Sequence, residues 1–462
     1  QLLGTENRLS KSMKRLSSGY KINSADDNPA GMAISNKMKA QIEALDQAKS
    51  NSSDAQNVMK IADGALSEVS SMLQRIRELA VQGASDTYSE NDKKALQSEI
   101  DELTKEVDRI SGDTEYNTKS LLDGSSDTRV YVRQKDANGN MTQVNSYITR
   151  INFSDNVASD KYELTVNSLA TQATGSLASA TKPDAEGTIS INGVSVAVKA
   201  DMTQDEYIQA LQKAATTAGT TMQVNGDSIS FLSNEYGSDS TVNISLSSSL
   251  KALAGAGYEN ADDGSGNMQL KSNGKDAVVT GGENLSDKTI RADGNRVYVV
   301  GNSGFSMDFL LSSDMDMTAG SSNLQIDISD IGNMAVQIGA NEGQEMKIRI
   351  PEVSSQTLYL DTVDVTVKGG ADKAMSTLDE AIEYVSGVRS RIGAFQNRLE
   401  SAESSLSETS ENMTGAYSNI MDTDMATEMT EYAAQNILDQ AGISVLSQAN
   451  DMPQQVLSLL SR

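Results

Sequence analysis

The chain has 462 residues, a formal net charge of −26, and no Cys, His or Trp. Those absences exclude disulfides, thiol nucleophiles, Ser-His-Asp triads and Cys- or His-ligated metals, so an enzyme would have to work with carboxylates, Lys or Tyr. The acidic balance argues against nucleic acid as a partner, and no apolar run of about 18 residues is present to insert into a membrane.

The four prolines stand at 29, 183, 351 and 453, leaving long proline-free stretches that permit long helices. Gln1 to Ser18 carries Leu2, Leu9, Met13 and Leu16 on one helical face, with Ser17-Ser18-Gly19 as its stop. Ala55, Met59, Ala62, Leu66, Val69, Leu73, Ile76 and Ala80 then alternate at spacings of four and three, a heptad seam that Ile34, Met38, Ile42 and Leu45 extend upstream. A second helix starts at the capping box Ser89-Glu90-Asn91-Asp92 and continues through Leu96, Ile100, Leu103, Val107 and Ile110 to Ser111-Gly112.

From about 126 to 333 the chain reads as β. Val130–Val132, Thr188–Ile191 and Val297–Val300 are strand-like, and turns are signalled at Asn138-Gly139, Asn192-Gly193, Asn225-Gly226 and Asp293-Gly294. A capping box at Thr203–Glu206 opens one helix with Tyr207, Leu211, Ala214, Ala215 and Ala218, giving an α+β unit over 187–247. Ala335–Ile350 folds back around Gly339–Gly343 as a further hairpin.

The strongest seam follows. Leu378, Ala381, Val385, Val388, Ile392, Phe395, Leu399, Ala402, Leu406, Thr409, Met413, Ala416 and Ile420 hold a 3.5-residue period that a straight helix drifts away from. From Tyr432 to Ser461 only Asp439 and Asp451 are charged, so that helix would expose apolar surface on several sides if left alone in water.

The expected fold is therefore mainly α at both termini, an elongated helical bundle or coiled coil, with β-rich α+β domains inserted between them. Its parts are a terminal helical domain (1–30 and 421–462), a helical rod with a β-hairpin (31–125 and 331–420), a variable β domain (126–186 and 248–330) and the inserted unit (187–247). The rod core is expected at Leu66, Leu73, Ile76, Leu96, Ile100, Leu103, Ile392, Phe395, Leu399 and Leu406. Sticky terminal helices that only further copies can cover lead to a helical homopolymer, with Leu9, Leu16, Ile437, Leu438, Val445, Leu446, Val456 and Leu459 as its contacts. The acidic pairs Asp314/Asp316 and Asp422/Asp424 and the run Ala261-Asp262-Asp263-Gly264 lack calcium-loop spacing and read as solvated or turn residues. No metal or cofactor is expected.

Several long motifs, in order, resemble bacterial flagellin. Leu16-Ser17-Ser18-Gly19, Ile22–Asp27 and Ala30-Gly31 are similar to its N-terminal signature, and Leu73–Gln82 and Glu106–Ile110 to its first-domain motifs. Gln337–Gln344 resembles its hairpin, and Gln396–Leu399, Asp422–Ala426, Val445–Asn450 and Val456–Leu460 its C-terminal signature. The likeness covers about 1–123 and 334–462; more weakly, Ile191-Asn192-Gly193 resembles the IN motif of hook-associated proteins and some flagellins.

The resemblance implies a structural subunit, secreted unfolded through the flagellar type III export apparatus with an export chaperone. It would polymerise under a cap protein into the extracellular filament, with no catalysis. It also implies that a few helical turns precede Gln1, and that animal Toll-like receptor five reads Arg75, Leu79 and Glu99. Arg75 and Leu79 lie one turn apart and off the Leu73/Ile76/Ala80 seam, and Glu99 lies off the Ile100 seam, which would place all three on a shared face. The competing readings are a hook–filament junction protein with similar ends and a non-polymerising coiled-coil surface adhesin.

Overall fold

The computed structural model describes residues 2–460 except 86, 136–139, 155, 262–265, 318–319 and 330, and describes only the backbone of 2, 283, 303 and 454–460. The Asn138-Gly139 turn, the acidic run at 262–264 and the side chains of Val456 and Leu459 therefore lie outside the described residues. Among the described residues there are six α-helices: α1 Leu2–Ser18, α2 Pro29–Gly83, α3 Glu90–Asp113, α4 Gln204–Thr217, α5 Gly370–Met421 and α6 Met425–Leu460. The chain forms two compact units.

The first unit comprises 1–57, 335–346 and 395–462. Helix α1 stops where Gly19 adopts φ +76° and its N–H reaches the Arg15 carbonyl at 2.8 Å, the left-handed cap that glycine accepts without a Cβ clash. Pro29 opens α2, where its missing N–H has no helical partner to lose, and the Asn28 carboxamide accepts the Gly31 N–H at 2.9 Å. Helix α1 lies along α6, and an antiparallel bridge joins Tyr20 to Asp422 just outside both. The start of α2 runs against the end of α5 through Gln56–Glu403 (3.2 Å), Lys49–Ser407 (3.3 Å) and Asp46–Ser410 (3.0 Å), over a small core of Leu45, Ala48 and Leu406.

The second unit comprises 58–334 and 347–394. Here the α2 seam is shut: Met59, Ala62, Leu66, Val69, Leu73, Ile76 and Ala80 are fully buried. Opposite them, Leu378, Ala381, Val385, Val388 and Ile392 of α5 are buried, and Asp63–Arg389 (2.9 Å) and Arg77–Asp379 (2.6 Å) border the pair. Helix α3 begins at the expected reciprocal cap between Ser89 and Asp92.

Two β modules follow. One joins a five-stranded sheet, in the order 278–281, 161–168, 322–328, 130–135, 141–143, to a four-stranded sheet, 289–293, 296–300, 306–311, 148–153, around Leu164, Val297, Phe309 and Ile326. The other joins a five-stranded sheet, 259–260, 268–273, 241–246, 187–191, 194–198, to a three-stranded sheet, 220–225, 228–236, 172–177, with α4 supplying Tyr207 and Leu211 to the core. This core reaches past 187–247 on both sides, because strands 172–177 and 268–273 complete its sheets.

The expected turns at Asn192-Gly193, Asn225-Gly226 and Asp293-Gly294 are present, each with its glycine at positive φ. The α5 seam departs from expectation beyond the second unit. Leu399 and Leu406 are buried, but Phe395, Ala402 and Met413 are only half-buried and Thr409 is exposed. The facing stretch of α2 is similarly open, with Ile34 50% exposed, so within one chain this part of the seam lacks a full partner.

Candidate assembly surface

Asp424 sets the start of α6. Its carboxylate accepts the Ala426 and Thr427 amides at 2.9 and 3.2 Å and the Thr427 hydroxyl at 3.0 Å, satisfying N–H groups that the first helical turn leaves free. The Thr427 bonds first, then the Ala426 amide, hold the Asp424 carboxyl below its ordinary range. Just before it, the Lys21 amide donates to the Met421 carbonyl (2.6 Å) and the Thr423 amide to the Gly19 carbonyl (2.9 Å). These bonds and Arg15–Glu428 (3.5 Å) seat α1 antiparallel on α6.

Seated there, α1 covers one side of α6, where Glu428 and Gln435 are buried. The rest stays bare: Ile437, Leu438, Ile443, Val445, Leu446 and Met452 are between 51% and 66% exposed. On α1, Leu9 and Leu16 are half-buried while Leu3 and Met13 are exposed. A set of large apolar side chains this exposed on one element is the signature of an interaction face. No group of three or more acidic residues that could hold a metal ion occurs among the described residues.

The second expected site lies on α2 and α3. Arg75 donates to Glu99 Oε1 through Nε (3.0 Å) and Nη2 (2.8 Å) and pairs with Glu78 at 3.1 Å, and both partners raise its pKa, Glu99 more. Leu79 is a correction: it is 1% exposed and does not share the open face of Arg75 and Glu99. The pairs Arg75–Glu99 and Arg77–Asp379 place α3 on one side of α2 and α5 on another. A helix with two neighbours buries more positions than one heptad seam, and Leu79 is one of them. Among the rod-core residues, Leu66, Leu73, Ile76, Ile100, Ile392, Leu399 and Leu406 are buried, whereas Leu96, Leu103 and Phe395 are half-buried.

Sequence reasoning missed a cluster in the first β module. The Arg296 guanidinium lies 4.2 Å from the Tyr359 ring centroid and 4.7 Å from that of Tyr298, and it pairs with Asp308 (3.2 Å) and Glu380 (2.6 Å). Arg150 approaches the same Tyr359 ring at 4.9 Å. Burial pushes the Asp308 carboxyl up, and the charge of Arg296 opposes that shift. No local signal marks this cluster, because its members come from distant stretches of the chain.

The profile of the bacterial flagellin N-terminal helical region matches residues 1–127, and that of the bacterial flagellin C-terminal helical region matches 375–460. A flagellin of Clostridium tyrobutyricum is 32% identical over 455 residues, covering 97% of this chain and 95% of that one. The chain belongs to the bacterial flagellin family. A flagellin of Salmonella rubislaw is 30% identical, with 99% and 97% of the two chains covered. Among solved structures, flagellar hook associated protein-3 of Legionella pneumophila is 15% identical with a TM-score of 0.31, covering 83% of this chain and 98% of that one. This flagellin is thus a structural subunit of the extracellular flagellar filament, and the junction-protein and adhesin readings give way to it. No helix among the described residues is long and apolar enough to cross a membrane.

Proposed function

We propose that this flagellin polymerises by burying the bare faces of α1 and α6 against the same helices of further copies. One observation carries the reading: Ile437, Leu438, Val445 and Leu446 stand more than half exposed on a helix whose last 29 described residues include only two charges. Val456 and Leu459 extend the same assignment. The helical segments 31–125 and 331–420 form the rod, and 126–330, with the unit at 187–247, serves as the outward decoration. The chain reaches the filament tip by type III export with an export chaperone and is added under a cap protein. A cysteine-free chain suits that route, because no disulfide can fix a fold before transit. Catalysis has no part in this role.

The test is seeded growth of the full-length natural protein, followed by electron microscopy. The wild type elongates seeds into long filaments; Ile437→Asp/Val445→Asp does not, while its circular dichroism as a monomer is unchanged. A variant that elongates normally rules out the α6 face.

The exposed pair Arg75–Glu99 supports a second role for the α2/α3 face, recognition by animal Toll-like receptor five. Leu79 then acts from beneath as packing. Arg75→Ala/Glu99→Ala is expected to lose receptor affinity at least about tenfold, the effect of removing a central charged anchor. Unchanged affinity in a direct binding assay refutes the assignment.

A further inference from the structure

We propose that the cavity between the first β module and α5 binds a small ligand bearing tetrahedral phosphoryl groups. It lies wholly within the second unit, and the inference does not depend on the polymerisation reading.

The cavity has a volume of about 380 Å³, within the range of small-molecule pockets and larger than a single ion needs. Arg129, Arg150, Arg349 and Arg391 line it against two carboxylates, Asp127 and Glu352. Over the whole chain acids outnumber bases by 64 to 38, so this lining inverts the ratio. Asp361 pairs with Arg150 at 2.5 Å from outside the lining, and the cations still exceed the anions by one. All four are Arg, although Lys is the commoner base in the sequence.

The guanidiniums come from four separate stretches of chain. Arg349 donates through Nη2 to the Phe153 carbonyl (2.6 Å), its Nε lies 3.1 Å from Asp127 Oδ1, and its guanidinium lies 4.3 Å from the Phe153 ring centroid. Arg150 sits in a bulge, where it and Ile151 stand between the Asn152–Asp308 and Thr149–Leu310 pairs. Its φ of +53° is left-handed, a conformation that a non-glycine residue keeps only where its surroundings impose it. Arg391 arrives from α5. The backbone of Arg129 is fixed on both sides, its N–H on the Ile331 carbonyl (2.8 Å) and its carbonyl on the Ser329 amide (3.1 Å). The residue is exposed and makes no ion pair among the described residues, which leaves one cation for a ligand to engage.

Planar guanidinium forks pair with the oxygens of carboxylates and phosphates. Forks arriving from several directions match an acceptor whose oxygens also point in several directions. A tetrahedral phosphoryl group has that form, whereas a carboxylate offers two oxygens in one plane. The volume leaves space beside a first such group for a second.

The experiment is calorimetric titration of the full-length natural protein, as monomer, with pyrophosphate, inorganic phosphate and acetate, ionic strength being held constant with chloride. Pyrophosphate should bind saturably at one site, phosphate more weakly and acetate not at all. Arg129→Gln, at an exposed position, should weaken pyrophosphate about tenfold or more, as for removing one partner of a close charge pair. Arg109→Gln, on α3 and outside the lining, should leave the affinity as it is. The absence of saturable binding overturns the proposal, and so does acetate binding as tightly as pyrophosphate. An affinity unchanged by Arg129→Gln, or reduced equally by Arg109→Gln, overturns it as well.

Discussion

Leu79 and Arg75 are one helical turn apart, yet the first is sealed and the second half-exposed. The heptad seam was legible because it repeats along one strand of sequence. The second burial line was not, because it depends on where α3 comes to lie. The same holds for Arg296: strand pairing brings Tyr298 and Asp308 to it, a turn brings Tyr359 and α5 brings Glu380. Asp424 is the opposite case: an Asp just before a helix follows the ordinary capping rule.

Asp27 ties the turn between α1 and α2 in a similar way. Its Oδ2 accepts the Asn23 amide, the Ser24 amide and the Ser24 hydroxyl, each at 3.1 Å. The Asn23 bond leads, with Ser24 and the charge of Lys11 adding to it, and together they outweigh burial and hold the carboxyl below its ordinary value of 3.8. A depressed folded-state pKa contributes stability that is fully present above the unfolded value and lost as pH falls through the folded one. The protection of the Asn23 and Ser24 amides, relative to their intrinsic exchange, should therefore be high at neutral pH and fall below pH 3.8. In Asp27→Asn that acid-dependent step should be absent. A step that persists in the variant assigns it to another group.

At the level of elements, helices and hairpins could be read from local chemistry: caps at Ser89 and Thr203, glycine turns at 193, 226 and 294. Less legible was the strand Gln172–Leu177, which has little of the alternating apolar pattern yet completes the second β module. Gly175 explains its composition. A Cβ there would stand 2.8 Å from Ile244 Cδ1 and 2.9 Å from Val242 Cγ1, so the strand is selected for closeness and not for bulk. Gly175→Val should overpack this core and destabilise it by about 1–3 kcal/mol, read as a lower urea midpoint. A midpoint equal to that of the wild type would mean that the neighbouring side chains yield freely.

For the molecule as a whole, a net charge of −26 makes copies repel one another at long range, while the proposed contacts of α1 and α6 would draw them together at short range. Salt screens the first over roughly 10 Å at 0.1 M and acts far less on pairs sealed in an interface. Seeded elongation should accordingly speed up from low to moderate ionic strength and not collapse there. A monotonic slowing would show that exposed ion pairs, not apolar burial, dominate assembly.

The bonds that stitch Gly19 and Lys21 to Met421 and Thr423 connect points almost the full chain apart; Lys21 also reaches the Asn419 carbonyl across 398 positions. Closing so long a loop is entropically unfavourable until everything between has been made and folded. A chain with only one end free to fold, whichever end that is, therefore lacks one half of its own clasp. On the export route proposed above, the clasp would close only after both ends of the chain are through.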